Sequence, residues 1–116
     1  MEILREMWDK KLERRTVFHC CEPDETLLEF TKDHKMFIGV DGDITYYEDK
    51  QQFIKEIPLD MLVLETDSPF LSPTKQFPNE PKNIPLIAEF VAKLKGISVD
   101  EVAKVTTENA RKLFKI

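Results

Sequence analysis

Two side chains have the chemistry and the placement that suit a hydrolytic site. His19 lies near the end of the apolar stretch 16–21, and Asp67 ends the apolar stretch 61–67. Imidazole and carboxylate groups bind divalent metal ions, which contact substrate oxygen and lower the pKa of a bound water. We therefore predict His19 and Asp67 as catalytic and metal-binding residues. The alternative is a hydrogen-bonded core histidine and an aspartate that caps a turn.

Other acidic side chains lie at comparable places. Asp41 and Asp43 flank Gly42 after a second apolar stretch, and Glu65 precedes Asp67 by two residues. Such pairs can offer oxygen ligands to magnesium or calcium. The segment 41–43 is more typical of a turn. We expect Glu65 to face away from Asp67 and to form a salt bridge beneath the helices.

The elements that would position these residues alternate along the chain. Apolar stretches at 16–21, 36–40 and 61–67 predict three strands, and helical periodicity predicts helices near 2–14, 24–33 and 49–57. Five prolines in 68–85 predict a long loop, and further helices follow within 84–116. Strands that alternate with helices predict an α/β fold with a parallel sheet.

Capping residues predict where several helices begin and end. Asp49 is expected to begin the helix after the second strand, and Gly96 to end the helix after the long loop. Ser98 then begins a short helix, and Thr106 or Thr107 begins a last, separate one.

Composition sets the broad class. The chain has 116 residues, enough for a single domain over 1–116 but short of the ~250 residues of a complete barrel. A net charge of −5 argues against broad non-specific binding of phosphate backbones. No apolar run approaches the ~20 residues of a membrane span, the amino terminus is too charged for a signal peptide, and the only cysteines are adjacent. We expect a cytoplasmic protein without membrane association.

Several segments in order along the chain carry a family resemblance. They are VFHC at 17–20, VLETDSPFLSP ending at Pro73, NEP at 79–81, and VAKLKGISVDEVAKVTTENARKLF at 91–114. Together they resemble the carboxyl-terminal portion of TatD-type metal-dependent hydrolases, a family with an amidohydrolase-like barrel and deoxyribonuclease members.

The resemblance implies a partial (β/α) TIM-type barrel with about three parallel strands and flanking helices. It also implies a divalent metal (Mg, Mn or Zn) and cleavage of phosphodiester bonds in DNA or a similar substrate. By position, His19 matches the site histidine of the sixth strand and Asp67 the site aspartate of the eighth. Asn79 and Glu80 match the loop that lines the substrate site, and Asn109 matches a structural position in the last helix.

The rest of the family's ligand set has no counterpart in this sequence. The histidine pair of the first strand, the glutamate of the fourth and the histidine of the fifth are absent. We therefore expect the isolated chain to be inactive or weakly active. Two alternatives stay open: a non-catalytic half-barrel that self-associates through open sheet edges, and a small metal- or ligand-binding protein of another activity.

Overall fold

A three-stranded parallel sheet organises the chain. The structure is a computed structural model that describes residues 2–19 and 22–116. Its strands are β1 (Val17–Phe18), β2 (Phe37–Val40) and β3 (Leu62–Leu64), in the spatial order β1-β2-β3. Both pairings are parallel, with Val17 opposite Phe37 and Ile38 opposite Leu62. Sequential parallel strands with helices between them are the arrangement of a barrel segment.

Five helices accompany the sheet in the described part of the chain. They are α1 (Glu2–Met7), α2 (Glu25–Asp33), α3 (Glu48–Glu56), α4 (Ile84–Lys95) and α5 (Val99–Phe114). None of these helices is long and apolar enough to cross a membrane.

The core explains why the strand sequences are apolar without alternation. All four residues of β2 are buried, so both faces of the central strand are covered. On one face, Ile38 and Leu62 belong to a large apolar cluster that includes Ile87 and Val91 of α4. On the other face, a smaller cluster contains Phe37, Val63 and Leu113.

Two predicted capping features, at Gly96 and Ser98, are confirmed, and Asp24 caps a third helix. The Asp24 carboxylate accepts hydrogen bonds from the Thr26 and Leu27 amides at the start of α2, at 2.8 and 3.2 Å. Gly96 ends α4 with a φ of 64°, the left-handed conformation that glycine adopts without strain. Ser98 Oγ accepts a hydrogen bond from the Glu101 amide at the start of α5.

The prediction of two separate helices after Gly96 is wrong. Helix α5 is continuous over 16 residues. Thr106 lies in its interior, and its hydroxyl donates to the Val102 carbonyl at 2.7 Å. A threonine whose hydroxyl is hydrogen-bonded to the carbonyl four residues earlier can lie inside a helix without interrupting it, although threonine also suits a cap.

Other boundaries also differ from the predicted ones. Helix α3 begins at Glu48, and Asp49 lies inside its first turn. Helix α1 ends at Met7 and buries none of its residues. Asp9 then caps a separate 3-10 turn over Lys10–Leu12, so the predicted helix over 2–14 is divided. The strands are shorter than predicted, and residues 20–21 of the first predicted strand lie outside the described residues.

Candidate active site

Four ionisable side chains follow the three strands at one edge of the sheet. His19 comes directly after β1, Asp41 directly after β2, and Glu65 and Asp67 after β3. Because the strands are parallel and in sequential order, their carboxyl ends meet at this edge. It is the edge at which α/β barrels carry their catalytic residues.

His19 lies between two carboxylates. Its Nδ1 is 2.6 Å from Glu65 Oε2, and its Nε2 is 3.5 Å from Asp67 Oδ1. The imidazole is half exposed, and Glu65 is mostly covered. The structure thus brings His19 and Asp67 close together, while their catalytic and metal-binding roles stay predictions.

The carboxylates favour the protonated form of the imidazole. The hydrogen bond with Glu65, together with its negative charge, raises the pKa of His19 above the ordinary 6.5. Partial burial opposes this change in pKa, and the charges of Asp41 and Asp67 add to it. A site that attracts a proton this way also attracts a metal cation, which competes with the proton for the same nitrogen.

A group of three side chains is arranged closely enough to share a cation. His19, Asp41 and Glu65 each offer one ligand atom, and these atoms lie within 4.8 Å of one another. Asp41 is buried, with 3% of its surface exposed. The sequence analysis raised Asp41 and Glu65 as possible oxygen ligands but favoured a turn and a salt bridge for them. It chose Asp67 as the metal-binding carboxylate, and Asp67 is not a member of this group.

The prediction for Glu65 is wrong. Its carboxylate pairs with His19 at the site, whereas the expected salt bridge was one beneath the helices. The signal was available, because residues two apart in a strand share a face and Glu65 lies two residues before Asp67. Asp41 could have been found by the argument that selected His19, since both directly follow a strand.

Hydrogen bonds from Asn79 hold the turn that carries Asp67. Asp67 has a φ of 52°, an uncommon conformation that aspartate tolerates better than most residues. The Asn79 side-chain amide donates to the carbonyls of Thr66 and Phe70, both at 2.8 Å. The Asn79 backbone amide donates to the Pro69 carbonyl at 2.8 Å. Asn79 is buried, and these three hydrogen bonds join both ends of the turn.

Glu80 lies on the outside of the same loop. Its side chain is half exposed and pairs with Lys82 at 2.7 Å, while its backbone amide donates to Asn79 Oδ1. The structure gives Asn79 a positioning contact beside Asp67. A direct substrate contact of Asn79 or Glu80 stays a prediction.

Asp43 serves a different purpose from Asp41. Its carboxylate is buried and lies 2.5 Å from Lys50 Nζ on α3, and Lys50 also pairs with Glu22 at 3.3 Å. Burial opposes the charge of Lys50, but the hydrogen bond and ion pair with Asp43 outweigh it and raise the Lys50 pKa. The expected turn at 41–43 is a 3-10 turn over Gly42–Thr45, attached to α3 by this pair.

The sequence of the chain was compared with models of known protein families. The family model described as TatD related DNase matches residues 1–115. The chain belongs to the TatD family. The recognition made from VLETDSPFLSP and the accompanying segments is thereby confirmed.

Proteins that are similar to this chain in sequence are named as a deoxyribonuclease or as metal-dependent hydrolases. The chain is 51% identical over 78 residues to human "Deoxyribonuclease TATDN3". This alignment covers 67% of the chain and 28% of the relative. It is 36% identical to "Uncharacterized metal-dependent hydrolase YcfH" of Escherichia coli K12, an alignment that covers 100% of this chain and 44% of the relative.

Solved TatD structures have the same fold. The crystal structure of the TatD homologue YjjV from Escherichia coli matches with a TM-score of 0.79 and 28% identity, over 89% of this chain and 41% of that one. A TatD family hydrolase from Entamoeba histolytica matches with a TM-score of 0.81, over 97% of this chain and 45% of that one; at 22% identity this likeness shows the fold alone. The predicted partial barrel is confirmed, and the chain spans less than half the length of these TatD proteins.

Proposed function

We propose that this TatD chain forms part of the active site of a metal-dependent hydrolase that cleaves phosphodiester bonds in DNA. The observation that carries the proposal is the convergence of His19, Asp41, Glu65 and Asp67 at the carboxyl edge of the sheet. The name of human TATDN3 supports DNA as the substrate, and the name of YcfH supports a metal.

The donor set fits a divalent cation. One imidazole nitrogen and two carboxylate oxygens suit Zn, and carboxylates also suit Mg or Mn. Ligands on opposite sides of an ion with bonds of about 2.1 Å lie roughly 4.2 Å apart, so atoms within 4.8 Å of one another need only small side-chain movements. We propose that His19, Asp41 and Glu65 hold the cation and that Asp67 borders it.

Each side chain then has a role in the reaction. A bound divalent ion supplies polarisation of the phosphate and a water of lowered pKa. Asp67, held in its turn by Asn79, orients the attacking water and accepts its proton at a carboxylate oxygen. His19 would hold the metal together with Asp41 and Glu65, and the hydrogen bond between Nδ1 and Glu65 also fixes the orientation of the His19 ring.

An activity assay tests this proposal. The 116-residue chain and a chimera, in which it replaces the matching part of YcfH, are assayed on single-stranded and duplex oligodeoxynucleotides with Mg, Mn or Zn. We expect cleavage by the chimera that EDTA abolishes, and weak or no cleavage by the isolated chain. We expect Asp67→Asn in the chimera to lower kcat by about a hundredfold or more, as loss of a positioned proton acceptor does.

Asp60 offers a matched control for this substitution. It is an exposed aspartate before β3, at the opposite edge of the sheet from Asp67. Asp60→Asn removes the same charge and should leave kcat unchanged. Full activity of the chimera carrying Asp67→Asn would refute the role assigned to Asp67.

A second candidate function is self-association as a half-barrel. It is favoured by α1, which buries none of its residues and exposes 77% of Ile3 and 73% of Met7. Native mass spectrometry of the 116-residue chain tests it. A dimer that becomes a monomer in an Ile3→Ser, Met7→Ser variant supports this function, and a monomer at all concentrations contradicts it.

A further inference from the structure

A basic hollow opens at the amino edge of the sheet, opposite the candidate active site. It has a volume of about 310 Å³, at the lower end of the ~300–1,000 Å³ of small-molecule sites. Its lining comes from the three segments that lead into β1, β2 and β3. Because the strands are parallel, their amino ends meet at this edge, so the hollow lies away from Asp67 and the other candidate site residues.

Cations dominate the lining of the basic hollow. Arg14, Lys32 and Lys35 line it, and Asp60 is the one carboxylate among the described residues that do so. Three positive charges at one hollow are unexpected in a chain whose net charge is −5. Hollows lined mainly by one sign of charge concentrate ligands of the opposite sign. The basic hollow therefore favours an anion.

Two of these cations belong to residues with a backbone conformation that glycine adopts more easily. Arg14 has a φ of 57° and Lys35 a φ of 53°. In this left-handed region a β-carbon approaches the neighbouring backbone closely, and glycine avoids that contact. The Arg14 backbone amide donates to the Lys35 carbonyl at 2.7 Å, which joins the two residues. Side chains kept at unfavourable backbone positions indicate a use for those side chains.

Helix electrostatics and ion pairing do not account for all three cations. Lys32 lies in the last turn of α2 and Lys35 follows this helix, where the helix dipole favours positive charge. Arg14 comes from another segment, before β1. Lys35 has a distant partner in Glu13, at 3.8 Å. Within the described part of the chain, neither Arg14 nor Lys32 is paired with a carboxylate, and both are exposed, so their charges are available to a ligand.

The rest of the lining is apolar. It consists of Met36, Phe37, Pro58 and Met61. Met36 and Phe37 are buried, while Met61 is half-buried and Pro58 is exposed. A ligand that fits both parts of the lining has an anionic group for the cations and an apolar body that covers Pro58 and Met61.

We propose that the basic hollow binds a small phosphate monoester, with its phosphate held by Arg14, Lys32 and Lys35 and an apolar body packed on Pro58 and Met61. A phosphate monoester carries about two negative charges near neutral pH, and its oxygens accept charge-assisted hydrogen bonds from guanidinium and ammonium groups. Three cations and one carboxylate match this dianion. The inference goes beyond the proposed phosphodiesterase function and does not depend on it, because the hollow and Asp67 lie at opposite edges of the sheet.

Binding to the metal-free chain tests the inference. Phenyl phosphate is titrated into the 116-residue chain, which is freed of metal with a chelating resin, and inorganic phosphate and benzoate are titrated for comparison. We expect phenyl phosphate to bind about fivefold or more tightly than either, because inorganic phosphate lacks the apolar ring and benzoate lacks the second charge. In NMR spectra of the methionine methyl groups, the Met36 and Met61 signals should shift, and that of exposed Met7 on α1 should not.

Matched variants test the named contacts. Arg14→Gln and Lys32→Gln should each weaken phenyl phosphate binding about tenfold or more, as the loss of one charge-assisted hydrogen bond does. Lys104→Gln makes the same change of charge at an exposed position on α5 and should leave binding unchanged. Lys35→Gly removes a cation and relieves the left-handed backbone, so it should weaken binding without lowering the midpoint of thermal unfolding.

The outcomes distinguish this proposal from the hydrolytic one. Binding that depends on Arg14 and Lys32, without any cleavage by the chimera, would support the basic hollow and overturn the hydrolytic function. Cleavage by the chimera, with phenyl phosphate binding that both glutamine variants leave unchanged, would overturn the hollow and leave the hydrolytic function standing.

Three further results would overturn the basic hollow as a phosphate monoester site. Equal affinity for inorganic phosphate would indicate an adventitious ion only. Equal affinity for benzoate would show that the second charge of the phosphate is not recognised. Shifts of the His19 signals, with those of Met36 and Met61 unchanged, would place the ligand at the carboxyl edge of the sheet.

Discussion

The carboxylate of Glu65 lies directly over Gly39. A β-carbon built on Gly39 would be 2.5 Å from the carboxyl carbon of Glu65, a separation that real atoms do not adopt. The same carboxylate is hydrogen-bonded to His19 Nδ1. The missing side chain of a residue in the central strand therefore gives Glu65 the space from which it reaches His19.

Gly39→Ala should displace Glu65 and spare the fold. The added methyl meets the end of a flexible side chain, which can rotate away, so we expect a change in unfolding free energy within about 1 kcal/mol in urea denaturation. The His19 pKa should fall toward 6.5, because its largest favourable contact is lost. An unchanged His19 pKa in NMR titration would contradict this assignment.

Gly42→Ala provides the comparison for Gly39→Ala. Its added methyl would meet the Leu71 carbonyl and the Pro73 ring and nitrogen, which belong to a backbone that is held in place. We expect a loss of unfolding free energy of about 1–3 kcal/mol, as for an overpacked core site. Equal stability of the two alanine variants would show that the loop is not fixed on Gly42.

Glu65→Gln should make the stability of the chain less dependent on pH near neutrality. The folded-state pKa of His19 is raised, so its protonated form is stabilised; this contribution is fully present below the ordinary pKa of 6.5 and is lost as pH rises through the folded-state pKa. We expect Glu65→Gln to destabilise the metal-free chain at pH 6 and to have a smaller effect at pH 9.

Histidine NMR checks the origin of this pH dependence. The chain has two histidines. His34 makes its contacts elsewhere, since its Nδ1 is hydrogen-bonded to the Phe30 carbonyl and its ring stacks on Phe30. Glu65→Gln in EDTA should lower the His19 pKa and leave the His34 resonance unaffected. Exposed Glu89→Gln, with the same loss of charge, should change neither.

Features that depend on interactions between neighbouring residues could be predicted from the sequence, and features that depend on contacts between distant segments could not. Strands and most helix ends follow from local patterns, as at Asp24 and Gly96, where a cap needs only its own few residues. His19 and Asp67 were found because the ends of parallel strands share an edge. The continuous helix α5 was missed because a threonine within a helix and one at its cap have the same local sequence.

The rest of the site depends on contacts between distant segments. The role of Gly39 is visible only when β3 lies beside β2, since 26 residues separate it from Glu65 in sequence. Likewise, Asn79 lies 13 residues from the Thr66 carbonyl that it binds. No pattern of spacing states which carbonyl a buried amide will reach, so positioning residues of this kind require the structure.

Lys50→Met should be strongly destabilising. Asp43 is buried with a Lys50 partner at 2.5 Å, so removing the lysine leaves a carboxylate without its cation in the core. We expect a loss of about 3–5 kcal/mol in unfolding free energy. The double variant Asp43→Asn, Lys50→Met should recover part of it, and exposed Lys93→Met should cost little.

Asn79→Ala should loosen the loop between Asp67 and Asn79 itself. The substitution leaves the Thr66 and Phe70 carbonyls without the amide that joins them, and we expect a loss of about 1–3 kcal/mol. Trypsin should then cut after Lys75 faster than in the unaltered chain.

Asn109→Ala is the control that separates loop order from general stability. Asn109 is buried on α5, and its side-chain amide donates to the Leu59 and Leu62 carbonyls at 3.0 and 2.7 Å, at the opposite end of β3 from Asp67. Its loss should lower unfolding free energy by a similar amount but leave trypsin cleavage at Lys75 unchanged under native conditions. Equal acceleration of this cleavage in both variants would show that Asn79 acts through global stability and not by holding the turn beside Asp67.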